Sequence, residues 1–117
     1  MKNVTIYHNP RCSKSRETLA LLEQHGVTPE VVLYLETPPS ADELKKLLKE
    51  LGFSSARELM RKKEDLYKEL KLADETLSEA QLLAAMVEHP KLIERPIVVK
   101  GSKARIGRPP EQVLEIL

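Results

Sequence analysis

Val4-Thr5-Ile6-Tyr7-His8-Asn9-Pro10-Arg11-Cys12-Ser13 holds a strand, a loop and the start of a helix within ten residues. Val4–Tyr7 is β-branched and aromatic, and His8-Asn9-Pro10-Arg11 breaks it, so it reads as a short first strand running into a loop. A helix follows from about Ser13 to His25, with Leu19 and Leu22 on one face and Gly26 as its stop. Val31-Val32-Leu33-Tyr34-Leu35 is nearly continuous apolar, which predicts a strand covered on both faces. Strand, helix and strand of these lengths make a βαβ unit with parallel strands. Thr37-Pro38-Pro39 closes it.

Beyond that unit the period changes to helical. Ser40 and Glu43 form a capping box, in which each side chain satisfies a backbone N–H at the helix start. Leu44, Leu47, Leu48 and Leu51 follow at i, i+3, i+4 and i+7, and Gly52 ends the run. Ser55 and Glu58 repeat the box before Leu59, and the segment holding Arg61 reads as a charged helix. Ser78 and Gln81 make a third box, with Leu77 and Leu82 placed as a hydrophobic staple and His89-Pro90 at the far end. Pro96-Ile97-Val98-Val99, a turn at Lys100-Gly101-Ser102-Lys103 and the return Ala104-Arg105-Ile106 predict a hairpin. Pro109-Pro110 opens a final helix with Val113, Leu114, Ile116 and Leu117 on its apolar side. The order βαβ, helices, ββα is α/β and thioredoxin-like. It implies a mixed four-stranded sheet, with a helical insertion at about 40–89 between the two halves of one domain spanning 1–117.

The composition agrees with a small globular chain. At 117 residues there is length for one domain, and such a domain buries roughly two-thirds of its unfolded surface. Hydrophobic residues make up 41% but aromatics only 3%, with no Trp, so the core is expected to be aliphatic. Nineteen basic residues against eighteen acidic leave +1, which excludes a polycation built for nucleic acid. The mild basic excess lies after residue 90 and suits the edge of a small anion site. The longest apolar run, Leu82 to Val87, is far short of the ~20 residues of a membrane span. Met1-Lys2 leads straight into strand-like sequence, so no signal peptide is expected, and no membrane partner. The single cysteine, Cys12, cannot pair internally and points to a reducing, cytoplasmic compartment. His8, His25, His89 and Cys12 lack metal-ligand spacing, so no metal and no bound cofactor are expected.

Cys12 stands between a strand and a helix N-terminus. The first helical N–H groups have no intrahelical acceptor and can hold a thiolate, with the helix dipole adding to the effect. Ser13 and Ser15 offer hydroxyls, and Arg11, Lys14 and Arg16 bring positive charge. Such surroundings lower a thiol pKa. The bland reading is an inert small hydrophobe, which the polar and charged neighbours oppose. Ser15 stands where a dithiol motif would carry its second cysteine. Any adduct on Cys12 therefore needs a thiol from outside to resolve it.

His8-Asn9-Pro10-Arg11-Cys12-Ser13-Lys14-Ser15-Arg16, together with Glu94-Arg95-Pro96-Ile97-Val98 and Ile106-Gly107-Arg108-Pro109, resembles the glutaredoxin-coupled arsenate reductase family over essentially the whole chain. The resemblance implies that Cys12 attacks arsenate to form a thiol–arsenic adduct. Glutathione, as co-substrate, then joins the adduct, and glutaredoxin helps complete reduction to arsenite. It implies that Arg61, Arg95 and Arg108 surround the oxyanion and that His8 helps ionise the cysteine. Ser15 is a further candidate for stabilising the thiolate. Thioredoxin-like folds also place a cis-proline facing the cysteine, which maps onto Pro96. These residue types suit the chemistry: arginine offers a planar fork and a permanent charge to a tetrahedral oxyanion. A thiolate attacking an anion needs preorganised cations around it.

Each site residue also has a plainer reading. Arg61 could lie on a solvated face, Arg95 at a strand start, Arg108 in a loop, and His8 could be a satisfied loop histidine. Two alternative functions stand beside the enzyme. Spx-type regulatory proteins share the fold and bind RNA polymerase, and a thiol-dependent reductase could act on another substrate such as a mixed disulfide. The three arginines favour the oxyanion, since a disulfide reductase has no need of them.

Overall fold

The computed structural model describes residues 4–117. The chain forms two compact units. One comprises the sequence up to Thr37 together with Arg95–Leu117, and the other is Pro38–Glu94.

In the first unit, four strands make one sheet in the order β2-β1-β3-β4. β1 is Val4–Tyr7, β2 Glu30–Val32, β3 Ile97–Lys100 and β4 Lys103–Ile106. β1 and β2 are parallel, as a βαβ crossover demands. β3 lies antiparallel to β1, pairing Ile97 with Tyr7, and β4 returns antiparallel to β3. This is the mixed thioredoxin-like sheet. Val4 and Ile6 alternate with half-buried Thr5 and Tyr7, so one pleat of β1 faces the core. There they join Leu22, Val98, Val113 and Ile116 in an aliphatic cluster edged by Leu19, Leu21, Val27 and Leu117.

The crossover helix α1 runs Ser13–Gln24. Its buried residues are Ser15, Thr18 and Leu22 at i, i+3 and i+7. Leu22 lies in the core and half-buried Leu19 packs against it, as the spacing predicts, while the fully buried line of the helix also runs through Ser15 and Thr18. At Thr18 another backbone, described below, approaches closely. β2 is shorter than the apolar run suggests. Pairing ends at Val32, and Leu33 accepts backbone hydrogen bonds from Glu36 and Thr37 in a turn. The reason is the partner: β1 ends at Tyr7, and the His8 N–H donates the last bond across, to Val32 O. Val31 and Leu35 are consequently 44% and 40% exposed, so this edge is not covered on both faces. The C-terminal segment Pro110–Ile116 is a 3-10 helix rather than an α-helix. Its buried residues, Pro110, Val113 and Ile116, recur every third position, and a 3-10 helix stacks such residues in line.

The second unit holds α2 (Ala41–Leu51), a 3-10 turn at Ala56–Leu59, α3 (Asp65–Glu69) and α4 (Glu79–Glu88). All three capping boxes close, at Ser40/Glu43, Ser55/Glu58 and Ser78/Gln81. The second closes on the 3-10 turn and not on a helix. The chain leaves that turn extended at Met60, which bridges to Ile93, while the N–H groups of Arg61 and Glu94 donate to Leu92 O and Leu59 O. Arg61 therefore lies outside any helix. α4 packs against α2 and against the 56–59 turn. Among the described residues, no helix is long and apolar enough to cross a membrane.

Candidate functional site

The loop between β1 and α1 is tied down at almost every residue. The Asn9 carbonyl accepts from the Cys12 N–H at 3.0 Å, and its side-chain oxygen accepts from the Arg11 N–H at 3.0 Å. Arg16 reaches back to donate to Pro10 O at 2.9 Å. Ser15 locks the loop to the helix: its Oγ accepts from the Asn9 N–H at 3.0 Å and lies 2.6 Å from His8 Nδ1. Ser15 is fully buried and His8 nearly so.

This loop leaves Cys12 as the N-cap of α1, in extended backbone, with its carbonyl accepting the first helical bond from Arg16. The side chain closes no short cap hydrogen bond. It nonetheless feels the N–H groups of the first turn. Burial raises the thiol pKa, and four influences outweigh it: the Ser15 N–H, the charge of Arg95, the Lys14 N–H and the charge of Arg108. The net result is a thiol held below its ordinary value.

The serine contribution differs from the expected one. Ser15 acts on the sulfur through its main-chain N–H, while its hydroxyl is engaged with His8 and Asn9. His8 likewise bonds Ser15, not the sulfur. Burial and the nearby Arg16 charge both lower the His8 pKa, so the ring is neutral near pH 7. Ser15 Oγ takes one bond from Asn9 and keeps a second lone pair and its proton, so the tautomer of neutral His8 decides which of the two donates. His8 thus supports the loop as a neutral partner, and it brings no positive charge to Cys12.

Arg95 and Arg108 come from the other side of the sheet order. The Tyr7–Ile97 pairing sets the entry to β3 beside the exit of β1, so Arg95 reaches the Cys12 end. The Arg95–Pro96 peptide is cis, as the fold implies, and so is Arg108–Pro109, which had no sequence signal. Arg108 follows β4 back to the same edge. Its Nε donates to Arg95 O at 2.9 Å, which orients the fork and leaves Nη2 at 3.7 Å from Cys12 Sγ. Arg108 is exposed and Cys12 is buried.

Cys12, Ser15, His8, Arg95 and Arg108 thus belong to one unit. Arg61 belongs to the second, where its Nη1 pairs with Glu64 at 2.9 Å. No group of three or more His, Cys, Asp or Glu among the described residues could hold a metal. Sequence reasoning passed over Thr18 and Gly107, although Ser15, Thr18 and Leu22 carried a readable i, i+3, i+7 spacing. Thr18 is fully buried and donates to Lys14 O at 2.8 Å.

Known proteins are similar to this chain. A model of the ArsC family matches residues 7–116. The uncharacterized protein YfgD of Escherichia coli K12 is 73% identical over 116 residues, covering 99% of this chain and 98% of that protein. An arsenate reductase of Haemophilus influenzae is 57% identical over 115 residues, covering 98% and 99%. The solved structure of an arsenate reductase from Vibrio cholerae superposes with a TM-score of 0.96 at 67% identity, covering 97% of each chain.

Proposed function

This chain belongs to the ArsC family, and from that premise we propose that it reduces arsenate to arsenite, with Cys12 as the nucleophile. The observation that carries the proposal is the Cys12 sulfur at a helix N-terminus with the Arg108 fork 3.7 Å away, where the charges of Arg95 and Arg108 lower its pKa. The Cys12 thiolate bonds to arsenic, and one arsenate oxygen leaves as water after taking up two protons. Arsenic is still As(V) in that adduct. Pairing of two thiol sulfurs into a disulfide supplies the two electrons that take it to As(III). The chain has one cysteine, so at least one of those sulfurs comes from outside. Glutathione is that external thiol in this proposal, and glutaredoxin clears the resulting mixed disulfide, in a cytoplasmic, reducing setting.

Arg95 and Arg108 bind and neutralise the oxyanion as the anionic sulfur approaches it. Arg61 is assigned to the oxyanion by family resemblance alone. Ser15 is a positioning residue for the sulfur through its N–H, and His8 holds Ser15. Two arginines at the sulfur favour oxyanion chemistry over reduction of a mixed disulfide, which would use neither. Purified protein given arsenate should form arsenite with glutathione and glutaredoxin present and lose turnover when either is left out. Arsenite formation that persists without glutathione would remove it as the donor. No arsenite under any thiol would end the enzyme reading and favour the Spx-type binding module.

A further inference from the structure

We propose that Gly107 is a positioning residue for the site: its missing side chain lets the Arg108 loop close onto Thr18 of α1 and onto Pro96 at once, which sets Arg108 over Cys12. The inference rests on the oxyanion reading for its catalytic consequence, but not for its geometry. A Cβ built on Gly107 would lie 2.5 Å from Thr18 Oγ1, 2.9 Å from Pro96 Cγ and 3.1 Å from Thr18 Cγ2. The first two are closer than packed atoms approach, so something must move. Neither neighbour yields easily. Thr18 is fully buried, with its hydroxyl bonded to Lys14 O at 2.8 Å, and Pro96 is a buried ring. Interiors are close-packed, and an added methyl with no room displaces backbone.

The loop is what remains free to shift, and both functional arginines are fastened to it. The Gly107 N–H donates to Pro96 O at 2.9 Å, next to Arg95. The Arg108 N–H folds back to Ile106 O at 2.9 Å, and its Nε holds Arg95 O at 2.9 Å. A loop pushed off Thr18 carries Nη2 away from the sulfur. The effect is one of space and not of torsion, because Gly107 lies outside the left-handed region where Gly26, Gly52 and Gly101 sit. This close approach falls on α1 at Thr18, one of its fully buried positions.

The test is a double-mutant cycle on the full chain with Gly107→Ala, Thr18→Ala and the pair. Two quantities are read: the pH dependence of Cys12 alkylation by iodoacetamide, and kcat/KM for arsenate with glutathione and glutaredoxin. Gly107→Ala should move the alkylation inflection up toward that of a free thiol and lower kcat/KM about 10- to 100-fold, the scale of a small misplacement at a reacting centre. Thr18→Ala removes both Oγ1 and Cγ2. The paired variant keeps the Pro96 contact and should recover part of the loss, which a merely destabilising glycine replacement would not show. A Gly107→Ala inflection equal to wild type overturns the proposal, and so does a paired variant as impaired as Gly107→Ala. If Gly107→Ala does not fold, Thr18→Ala and the paired variant decide it. A pair whose inflection stays near that of Thr18→Ala supports the proposal, and one whose inflection rises as far as that of Arg108→Ala refutes it. Alkylation needs no arsenate. A wild-type protein that makes no arsenite refutes the enzyme reading, while the loop placement is still tested by alkylation.

Discussion

Replacing Arg108 by Ala and by Lys separates charge from geometry at the sulfur. Arg108 Nη2 lies 3.7 Å from Cys12 Sγ, but the guanidinium charge is spread over a planar group and the residue is exposed. A water-like dielectric is therefore the right one, and at 4–5 Å it gives about 1 kcal/mol of attraction for the thiolate. That energy is worth about four- to sixfold in thiolate population below the inflection. Arg108→Ala should slow iodoacetamide alkylation of Cys12 by about that factor at low salt and slightly acidic pH. The wild-type advantage should shrink as salt rises past the point where the screening length falls to about 8 Å. Arg108→Lys keeps the charge, so its alkylation rate should stay near wild type. Arsenate turnover should behave differently. There the fork and its Nε anchor on Arg95 O both matter, so lysine should also fail, and alanine should fail further, by about 10²–10³ in kcat. Equal alkylation rates for Arg108→Ala and wild type at low salt would refute the electrostatic argument. Full turnover in Arg108→Lys would refute the need for a fork.

Cys12→Ser should abolish arsenite formation and leave far-UV circular dichroism unchanged, because no other thiol exists in the chain to replace it. Ser15→Ala keeps the main-chain N–H but strands the Asn9 N–H and the His8 ring, both at least half-buried. It should cost about 1–3 kcal/mol in urea unfolding, and an unchanged midpoint would show that the lock is dispensable. The lowered His8 pKa has a pH consequence. The unfolded chain takes up the proton first, so stability is complete above the ordinary histidine pKa of about 6.5 and declines as pH falls from there toward the native value. His8→Gln should flatten that acid decline in thermal melts, and a decline as steep as wild type would place its origin elsewhere.

Local signals were readable because their physics is local. Each capping box joins residues three apart, and all three formed where Ser40, Ser55 and Ser78 announced them. The βαβ unit, the hairpin and the placement of Cys12 at a helix start follow from strand and helix periods with a handedness rule. The low thiol pKa was legible for the same reason, since two of its causes are the N–H groups of the next turn.

What the sequence left open depends on partners distant along the chain. Val31–Leu35 is apolar enough for a longer strand, yet β2 stops at Val32 because β1 has turned away to form the Cys12 loop. The box at Ser55 marks a start but cannot say that Ile93 will draw Met60 out of the helix and into a bridge. Ser15 looked like a hydroxyl for the thiolate, and burial beside His8 gave that hydroxyl another partner. The composition of α1 favoured Leu19 as a core residue. Leu19 instead packs at the edge of the core, and the backbone of Gly107, almost ninety positions later, meets the helix at fully buried Thr18. Residue types and their local spacing thus determined the order of most elements and the placement of Cys12 at a helix start, where N–H groups lower its pKa. Only tertiary structure decided which carbonyl orients Arg108 and which faces are buried, because those are set by contacts between segments that neither segment encodes alone.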